Sequence, residues 1–473
     1  MGNLFKGGLE TQPNEVTIEE LPVRGHLPGW LNGALLRTGP AQFEVGPDSY
    51  RHWFDGLAML HRFAFADGRV SYRNRFLQSP AFRENNALGR IKYADFATDP
   101  CKSLFKRVAS IFTSPEYGGN GNVNIAQFGA DFVTLTEYPL AMVFDPKTLD
   151  TLGVYDYEGT DAQNSTAHPH HDRERDLGLT YAAKYGITNE YRFYSMHGKQ
   201  LTSLSTIKVD HPAYVHSFGL SGRYVILAES ALRLSSSVSL ALSGKPFIEN
   251  FEWTPEDGSR FIVIDKVSGQ VVVEAPTEAF FSFHHVNAFE RGDELIVDLI
   301  AYPNNEFVNA GYLDRLRADG AGIPGGELRR YRVPLNGGRA TYELLTTENV
   351  ELPRIHYDTY HTRGDYNYVY AASVRRGTTD FYNQLTKVNL TNGTVSVWHE
   401  DGCYPGEPVF VPAPDGRAED AGVILSVVFD SQSATSFLLV LDAPSFGEIA
   451  RATVPQHIPF GFHGQFFTDP IAV

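Results

Sequence analysis

Short runs of apolar and β-branched residues recur along the chain and are separated by clusters of polar turn residues. They lie at residues 132–135, 224–227, 261–264, 295–297, 368–370 and 423–425. Runs of this length bounded by turn residues are typical of β-strands, whereas long stretches with a 3.6-residue period are scarce. The pattern predicts an all-β protein.

A turn signature follows several of these runs. Asp or Asn begins a short polar segment, after which a new apolar run starts, at residues 145–148, 265–269, 389–393 and 442–445. Asp and Asn side chains hydrogen-bond to the nearby backbone, so each segment predicts a hairpin. Hairpins repeated through the chain favour radial repetition, as in a β-propeller. About seven blades fit at roughly 60 to 70 residues each, more than the usual blade period. No linker divides the chain, which predicts a single domain, 1–473.

Charge and composition limit the partners and the cellular locations that the protein can have. The formal net charge is −16 and the isoelectric point about 5.4, which argues against nucleic acid as a partner. Two cysteines, Cys101 and Cys403, cannot form a disulfide framework and favour a reducing compartment. No apolar stretch is long enough to span a membrane, and the first ten residues do not resemble a signal peptide. These features predict a cytoplasmic protein and leave peripheral membrane association open.

Four of the sixteen histidines stand out by their surroundings: His168, His216, His284 and His463. The last three lie in aromatic, strand-like runs. A buried imidazole must satisfy both ring nitrogens, and a metal on one with an acceptor on the other does so. The four are far apart in sequence and can meet only at a common centre such as a propeller axis. Imidazole suits iron, copper, zinc and nickel alike, so the residues predict a metal site without naming the metal.

Two of these segments allow other interpretations. Residues 168–171 read His-Pro-His-His, which is also typical of a surface tract or loop. In the pair His284-His285, successive strand residues point to opposite faces, so that only one of the two can be a ligand.

The four segments together resemble the iron-ligand motifs of the carotenoid cleavage oxygenases. They read Thr-Ala-His-Pro-His at 166–170, Tyr-Val-His-Ser-Phe-Gly at 214–219, Phe-His-His-Val-Asn at 283–287 and Phe-His-Gly at 462–464. Further matches are Arg-Thr-Gly-Pro at 37–40, Phe-Asp-Gly-Leu-Ala at 54–58 and Asp-Pro-Cys-Lys at 99–102. The similarity covers nearly the whole chain and is strongest to the animal-type branch, which includes the β-carotene oxygenases and the retinoid isomerase.

The resemblance implies a seven-bladed propeller with a helical and loop cap over the iron-binding face. It implies one Fe(II) per chain, and His168, His216, His284 and His463 as its ligands. Glu137, Glu351 and Glu407 would accept the distal ring N–H of His216, His284 and His463. Without the resemblance, each glutamate would be interpreted as a solvated surface charge. Phe54 and Thr136 match positions that line the family's substrate tunnel.

The implied activity is that of a non-haem iron(II) dioxygenase. It would cleave a carbon–carbon double bond of a carotenoid or apocarotenoid with O2 to give aldehyde or ketone products, such as an apocarotenal or retinal.

A polyene substrate must leave a membrane, and two segments, around 101–117 and 230–247, suit peripheral contact with a membrane surface. In the first, apolar residues share one helical face beside basic residues; they are Leu104, Phe105, Val108, Ile111 and Phe112. In the second, leucines including Leu232 and Leu234 alternate with serines. The alternative for both is ordinary packing on the propeller.

Three other functions compete with carotenoid cleavage. Stilbene-cleaving relatives carry a Lys where this chain has Thr136, which argues against a phenolic substrate, although Tyr93 aligns with a Tyr that also serves those enzymes. Retinoid isomerisation is a different reaction on the same iron site. A metal-free propeller acting as a binding module is the third.

Overall fold

β-Strands dominate the computed structural model, which describes residues 3–99, 117–237, 240 and 243–468. Within these residues, the strands form seven antiparallel sheets of four to six strands, beside two small two-stranded ribbons. Inner strands of neighbouring sheets contact one another around a common axis, so each sheet is one blade of a propeller. The predicted seven-bladed all-β propeller is confirmed.

Blades 1 to 6 follow one another in chain order. Blade 1 contains strands Asn124–Phe128, Asp131–Leu135, Ala141–Phe144 and Thr151–Tyr155, and blade 2 contains Asn164–Ser165, His170–Asp172, Leu177–Lys184, Asn189–His197 and Gln200–Val209. Blade 3 contains Gly219–Leu220, Tyr224–Glu229, Ser259–Asp265 and Val271–Thr277, and blade 4 contains His285–Arg291, Glu294–Ala301, Glu327–Pro334 and Thr341–Asn349. Blade 5 contains Glu351–Arg354, Tyr368–Ser373, Gln384–Asn389 and Val395–His399, and blade 6 contains Cys403–Pro405, Val409–Pro412, Gly422–Asp430, Thr435–Asp442 and Glu448–Val454. All six apolar runs predicted to be strands lie within these elements.

Blade 7 is built from both ends of the chain. Its innermost strand, Gly464–Phe467, pairs with Gly33–Gln42. The sheet continues outward through strands Leu57–Ala66, Arg69–Phe76 and Thr17–Ile18. A further N-terminal strand, Val23–Gly25, extends the outer edge of blade 6. Hydrogen bonds between the two ends of the chain therefore close the ring and cover strand edges that would otherwise be exposed.

The predicted Asp and Asn turns join the outer strands of blades 1, 3, 5 and 6. In the first, Asp145 Oδ1 accepts the backbone N–H groups of Lys147 and Thr148, each at 2.8 Å. Asp265, Asn389 and Asp442 accept backbone N–H groups in the same way. Each side chain takes the place of a backbone acceptor where the chain reverses, and the predicted hairpins are confirmed.

Short helices lie in the connections between strands. They are the 3-10 helices Leu4–Leu9, Trp53–Asp55, Phe247–Asn250 and Pro255–Asp257, and the α-helices Pro80–Leu88, Glu306–Ala310, Leu313–Leu316 and Tyr357–Tyr360. Helix Pro80–Leu88 begins where Ser79 accepts the Phe82 N–H and ends at Gly89, which is left-handed with φ 64°. In the part of the chain that the structure describes, no helix is long and apolar enough to cross a bilayer.

The two segments predicted to face a membrane differ in outcome. Leu104, Phe105, Val108, Ile111 and Phe112 lie outside the described residues. Leu232 and Leu234 are each 1% exposed and belong to the main hydrophobic core, on a strand that pairs with Phe251–Trp253. The membrane interpretation is therefore wrong for these two leucines, because their side chains already pack inside the protein.

Candidate metal centre

The four predicted histidines occupy equivalent places in their blades. His168, His216, His284 and His463 each lie one to three residues before an innermost strand, in blades 2, 3, 4 and 7 respectively. Innermost strands surround the axis and run in the same direction along it. Residues that precede these strands therefore meet at the same end of the axis, which brings together histidines that are up to 295 positions apart in the sequence.

The imidazole nitrogens of these histidines converge on one point. The Nε2 atoms of His168 and His216 are 2.9 Å apart, and those of His284 and His463 are 3.1 Å apart. One nitrogen from each of the four lies within 4.8 Å of the others. Nitrogens about 2.1 Å from a shared metal ion and at right angles to each other would be about 3 Å apart. The arrangement therefore fits a metal ion at its centre.

Three glutamates orient three of the imidazoles. The Nδ1 atoms of His216 and His284 each lie 2.6 Å from a carboxylate oxygen, of Glu137 and Glu351 respectively. The Nδ1 atom of His463 lies 2.8 Å from Glu407 Oε1. A ring that donates its Nδ1–H to a carboxylate leaves the Nε2 lone pair free for a metal and is a stronger ligand. The structure thus places all three glutamates beside the histidines with which the family resemblance paired them.

Further hydrogen bonds fix these carboxylates. Glu351 accepts the hydroxyl of Tyr302 and the backbone N–H of Leu352. Glu407 Oε2 accepts the N–H of Gly464 at 2.9 Å. Burial alone would raise the pKa of Glu407, but Arg354 and His463 lower it to about 2. Its carboxylate is therefore charged at any pH near neutrality.

Burial disfavours the charged form of three of these imidazoles. It lowers the pKa of His463 to about 4 despite the opposing effect of Glu407. It also lowers the pKa of His168 and His216, and the neighbouring histidines lower that of His168 further. Neutral imidazole is the form that binds metals.

A cavity lined mainly by aromatic side chains lies over the histidines. Phe54 and Thr136, both predicted to line a substrate tunnel, are part of its wall. The remaining apolar wall is formed chiefly by Trp53, Phe96, Tyr214, Phe247, Phe283, Phe307 and Phe462. Several of these come from the short helices between strands, so the connections form the cap over the metal end of the axis. Such a cavity suits an elongated apolar ligand.

Sequence reasoning missed a pair of aspartates at this wall, Asp95 in the lining and Asp55 behind it. Asp55 is fully buried and accepts hydrogen bonds from the Thr98 hydroxyl (2.6 Å) and the Ala97 N–H (3.0 Å). Asp95 borders the cavity and accepts from Asn120 at 3.3 Å. Burial raises the pKa of Asp55 to about 6, and burial together with Asp55 raises that of Asp95 well above its usual value. Both carboxyl groups therefore hold their protons to a higher pH than an exposed aspartate does.

The raised pKa values of Asp55 and Asp95 make the stability of the fold depend on pH. Because the folded pKa exceeds the unfolded one, the folded state binds more protons, and stability falls as pH rises above about 4. Asp95→Asn removes one of the two titrations, so we expect its stability relative to the native protein to increase by about 1 kcal/mol or more between pH 4.5 and 7.5. Urea unfolding at both pH values measures this difference. The exposed Asp293→Asn variant serves as the control, and equal pH slopes for the native and Asp95→Asn proteins would contradict the prediction.

Fold and centre together define a β-propeller protein with a four-histidine, three-carboxylate site beneath an apolar cavity. A family model described as "Retinal pigment epithelial membrane protein" matches residues 9–468. The carotenoid-cleaving dioxygenase, mitochondrial, of Pongo abelii is 36% identical over 96% of this chain and 94% of that protein. The β,β-carotene 15,15'-dioxygenase of Gallus gallus is 32% identical over 98% of each. A cobalt-substituted apocarotenoid oxygenase of Synechocystis superposes with a TM-score of 0.86 at 25% identity, over 98% of both chains.

The chain belongs to this family, the carotenoid cleavage oxygenases. The predicted family and the prediction of an enzyme of the dioxygenase class are confirmed. The identity of the metal, the bond that is cleaved and the individual roles of the site residues stay predictions.

Proposed function

We propose that this protein is an iron(II)-dependent dioxygenase that cleaves a carbon–carbon double bond of a carotenoid or apocarotenoid. One molecule of O2 is consumed and each alkene carbon receives one oxygen atom, so the products are two carbonyl compounds. The observation that carries the proposal is the convergence of four imidazoles beside an aromatic cavity.

The residues present fit iron(II). Four neutral nitrogen donors, three of them hydrogen-bonded to carboxylates, are a donor set that a divalent first-row metal accepts. His168, His216, His284 and His463 would hold the ion, and iron(II) when bound would supply electrons for the activation of O2. We assign one iron per chain on this basis.

The protein's own residues have three tasks in this reaction. The carboxylates of Glu137, Glu351 and Glu407 hold the imidazoles in one tautomer. The aromatic wall, including Phe54 and Phe283, binds the polyene beside the histidines and keeps bulk water away from them. No general base is needed, because the reaction requires no proton transfer from the alkene.

Metal analysis combined with product analysis tests the proposal. The purified protein is assayed for iron and incubated with β-carotene or an apocarotenal under ¹⁸O2, with an anaerobic control. One iron per chain and two ¹⁸O-labelled carbonyl products support it. Cleavage of a hydroxystilbene alone would move the substrate to the phenolic class, and an isomerised retinoid without oxygen uptake would assign the isomerase reaction. A protein that binds no iron and keeps its fold would favour the binding-module function.

Phe54 is predicted to select the bond that is cleaved. Its ring lies 5.2 Å from Phe96, 5.1 Å from Phe462 and 5.9 Å from Phe283, measured between centroids. Phe54→Ala opens the cavity at this contact, so the polyene can shift along its axis. We expect a second pair of aldehydes of different lengths, detected by chromatography. Phe82→Ala, outside the cavity, should lower stability without changing the products, and unchanged products for Phe54→Ala would exclude the role.

Membrane contact and location remain proposals. The amphipathic, basic pattern at 101–112 favours peripheral attachment to a membrane surface, from which a polyene would enter. A cytoplasmic location stays a prediction, and the Pongo abelii relative is named as mitochondrial.

A further inference from the structure

Arg37 is a buried cation that forms no hydrogen-bonded ion pair within the described residues, although Glu407 acts on it electrostatically. It lies on strand Gly33–Gln42 of blade 7 and is 5% exposed. Its Nη1 atom is buried and has no hydrogen-bond partner, and among the described residues its guanidinium forms no ion pair with a carboxylate. Arginine stays protonated in proteins, and a buried charge without a partner is strongly unfavourable. A ligand that accepts hydrogen bonds from Arg37 would remove this penalty.

A second cavity, smaller than the one over the histidines, lies beside this guanidinium. It shares Leu352 and Tyr382 with the wall of the main cavity. Among the residues that line it, Arg37 alone carries a formal charge. His61 also lines it but is neutral, because burial and the charge of Arg37 lower its pKa to about 3. The space next to Arg37 therefore holds no negative group from the described part of the chain.

The surrounding charges leave one positive charge unbalanced. Arg37 and Arg354 both act on a single carboxylate, Glu407. Arg354 Nη1 lies 3.5 Å from Glu407 Oε1, and both oxygens of this carboxylate already accept from His463 and Gly464. Two guanidinium groups thus share one carboxylate, which carries a single negative charge. Water could satisfy the N–H groups of Arg37, but only an anion would also balance the charge.

We propose that the second cavity binds a small monovalent anion of halide size, held by the guanidinium of Arg37. The site lies outside the four-histidine centre and needs no metal for its formation. Its anion would neutralise the excess charge beside Glu407.

Bromide is a suitable probe because its anomalous scattering locates it directly. Crystals of the full chain in sodium bromide should show one anomalous peak within hydrogen-bond distance of the Arg37 guanidinium. In solution, the unfolding temperature should rise and saturate as bromide replaces gluconate at constant ionic strength, because a ligand bound only by the folded state stabilises it. Water alone in the cavity, or bromide peaks confined to the surface, would overturn the proposal.

Variants separate this site from general salt effects. Arg37→Met should lose the dependence on bromide, whereas Arg69→Met, which removes an exposed arginine, should keep it. If both variants respond to bromide as the native protein does, the assignment to Arg37 is wrong. If Arg37→Met does not fold, the anomalous map of the native protein decides by itself.

Discussion

Alanine in place of His284 should eliminate iron from the purified protein and abolish product formation. Removal of an outer carboxylate partner typically costs about 10-fold to 100-fold in metal affinity, and removal of a ligand itself should cost more than about 100-fold. His284 also lies 3.1 Å from His463, so its loss opens the centre of the cluster. Metal analysis after dialysis and the ¹⁸O2 assay measure the two effects.

The control for this variant is His26→Ala. His26 is exposed and follows strand Val23–Gly25 at the outer edge of blade 6, away from the histidine cluster. It should keep one iron per chain and full activity. Circular dichroism of His284→Ala should remain native, because a small, largely apolar gap replaces a side chain at the edge of the cavity. Iron retained at one per chain in His284→Ala would show that the histidine cluster is not the metal site.

The carboxylate of Glu351 should matter for stability as well as for the metal. Glu351→Ala leaves His284 Nδ1, the Tyr302 hydroxyl and the Leu352 N–H without their acceptor. Each buried donor without a partner costs about 1 to 3 kcal/mol, so we expect a loss of about 3 to 5 kcal/mol in the free energy of unfolding. Urea unfolding measures it.

The Glu351→Gln variant separates the contribution of Glu351 to stability from its contribution to metal binding. Its amide oxygen still accepts one hydrogen bond, so most of the stability should be kept. The bond from His284 is no longer charge-assisted, and iron affinity should fall about 10-fold to 100-fold in a competition with a chelator. Glu256→Ala, which removes an exposed carboxylate, should change neither quantity. Equal iron affinity for Glu351→Gln and the native protein would mean that Glu351 has a structural role only.

The fold could be predicted largely because its signals are local. Turns at Asp145, Asp265, Asn389 and Asp442 depend on a side chain bonding to a backbone group two or three residues away, and such a preference is visible in a short segment. The number of blades required a further assumption about the length of each blade. It is the pairing of Gly464–Phe467 with Gly33–Gln42 that completes the seventh blade, and this contact joins distant parts of the chain.

Which histidine of the pair His284-His285 faces the metal site could not be predicted from the local sequence. The residues alone could not choose between His284 and His285, whereas the family pattern selected the first. In the structure, His284 faces the cluster, and the Nδ1 atom of His285 lies 3.0 Å from the Ser217 hydroxyl oxygen instead. Alternation along the backbone explains the difference. His170 is likewise directed away, towards the carbonyl oxygen of Phe218.

Other features were not accessible from the sequence at all. Asp55 and Asp95 are 40 positions apart, and their raised pKa values follow from burial, which only the folded chain defines. The apolar side chains of Leu232 and Leu234 suited both a membrane surface and a protein core. Hydrophobicity alone does not determine whether a side chain packs against lipid or against other residues of the protein. The strand pairing with Phe251–Trp253 decided in favour of the core.

Strand Gly464–Phe467, which closes the ring, determines when the four-histidine site can form during synthesis on the ribosome. His463 is separated from the other three histidines by at least 179 residues and immediately precedes Gly464–Phe467. A nascent chain therefore carries three histidines on an open ring until residues 463–467 have been synthesised and have left the exit tunnel. Ring closure and completion of the four-histidine site depend on this same segment, so a chain truncated before residue 463 would lack both.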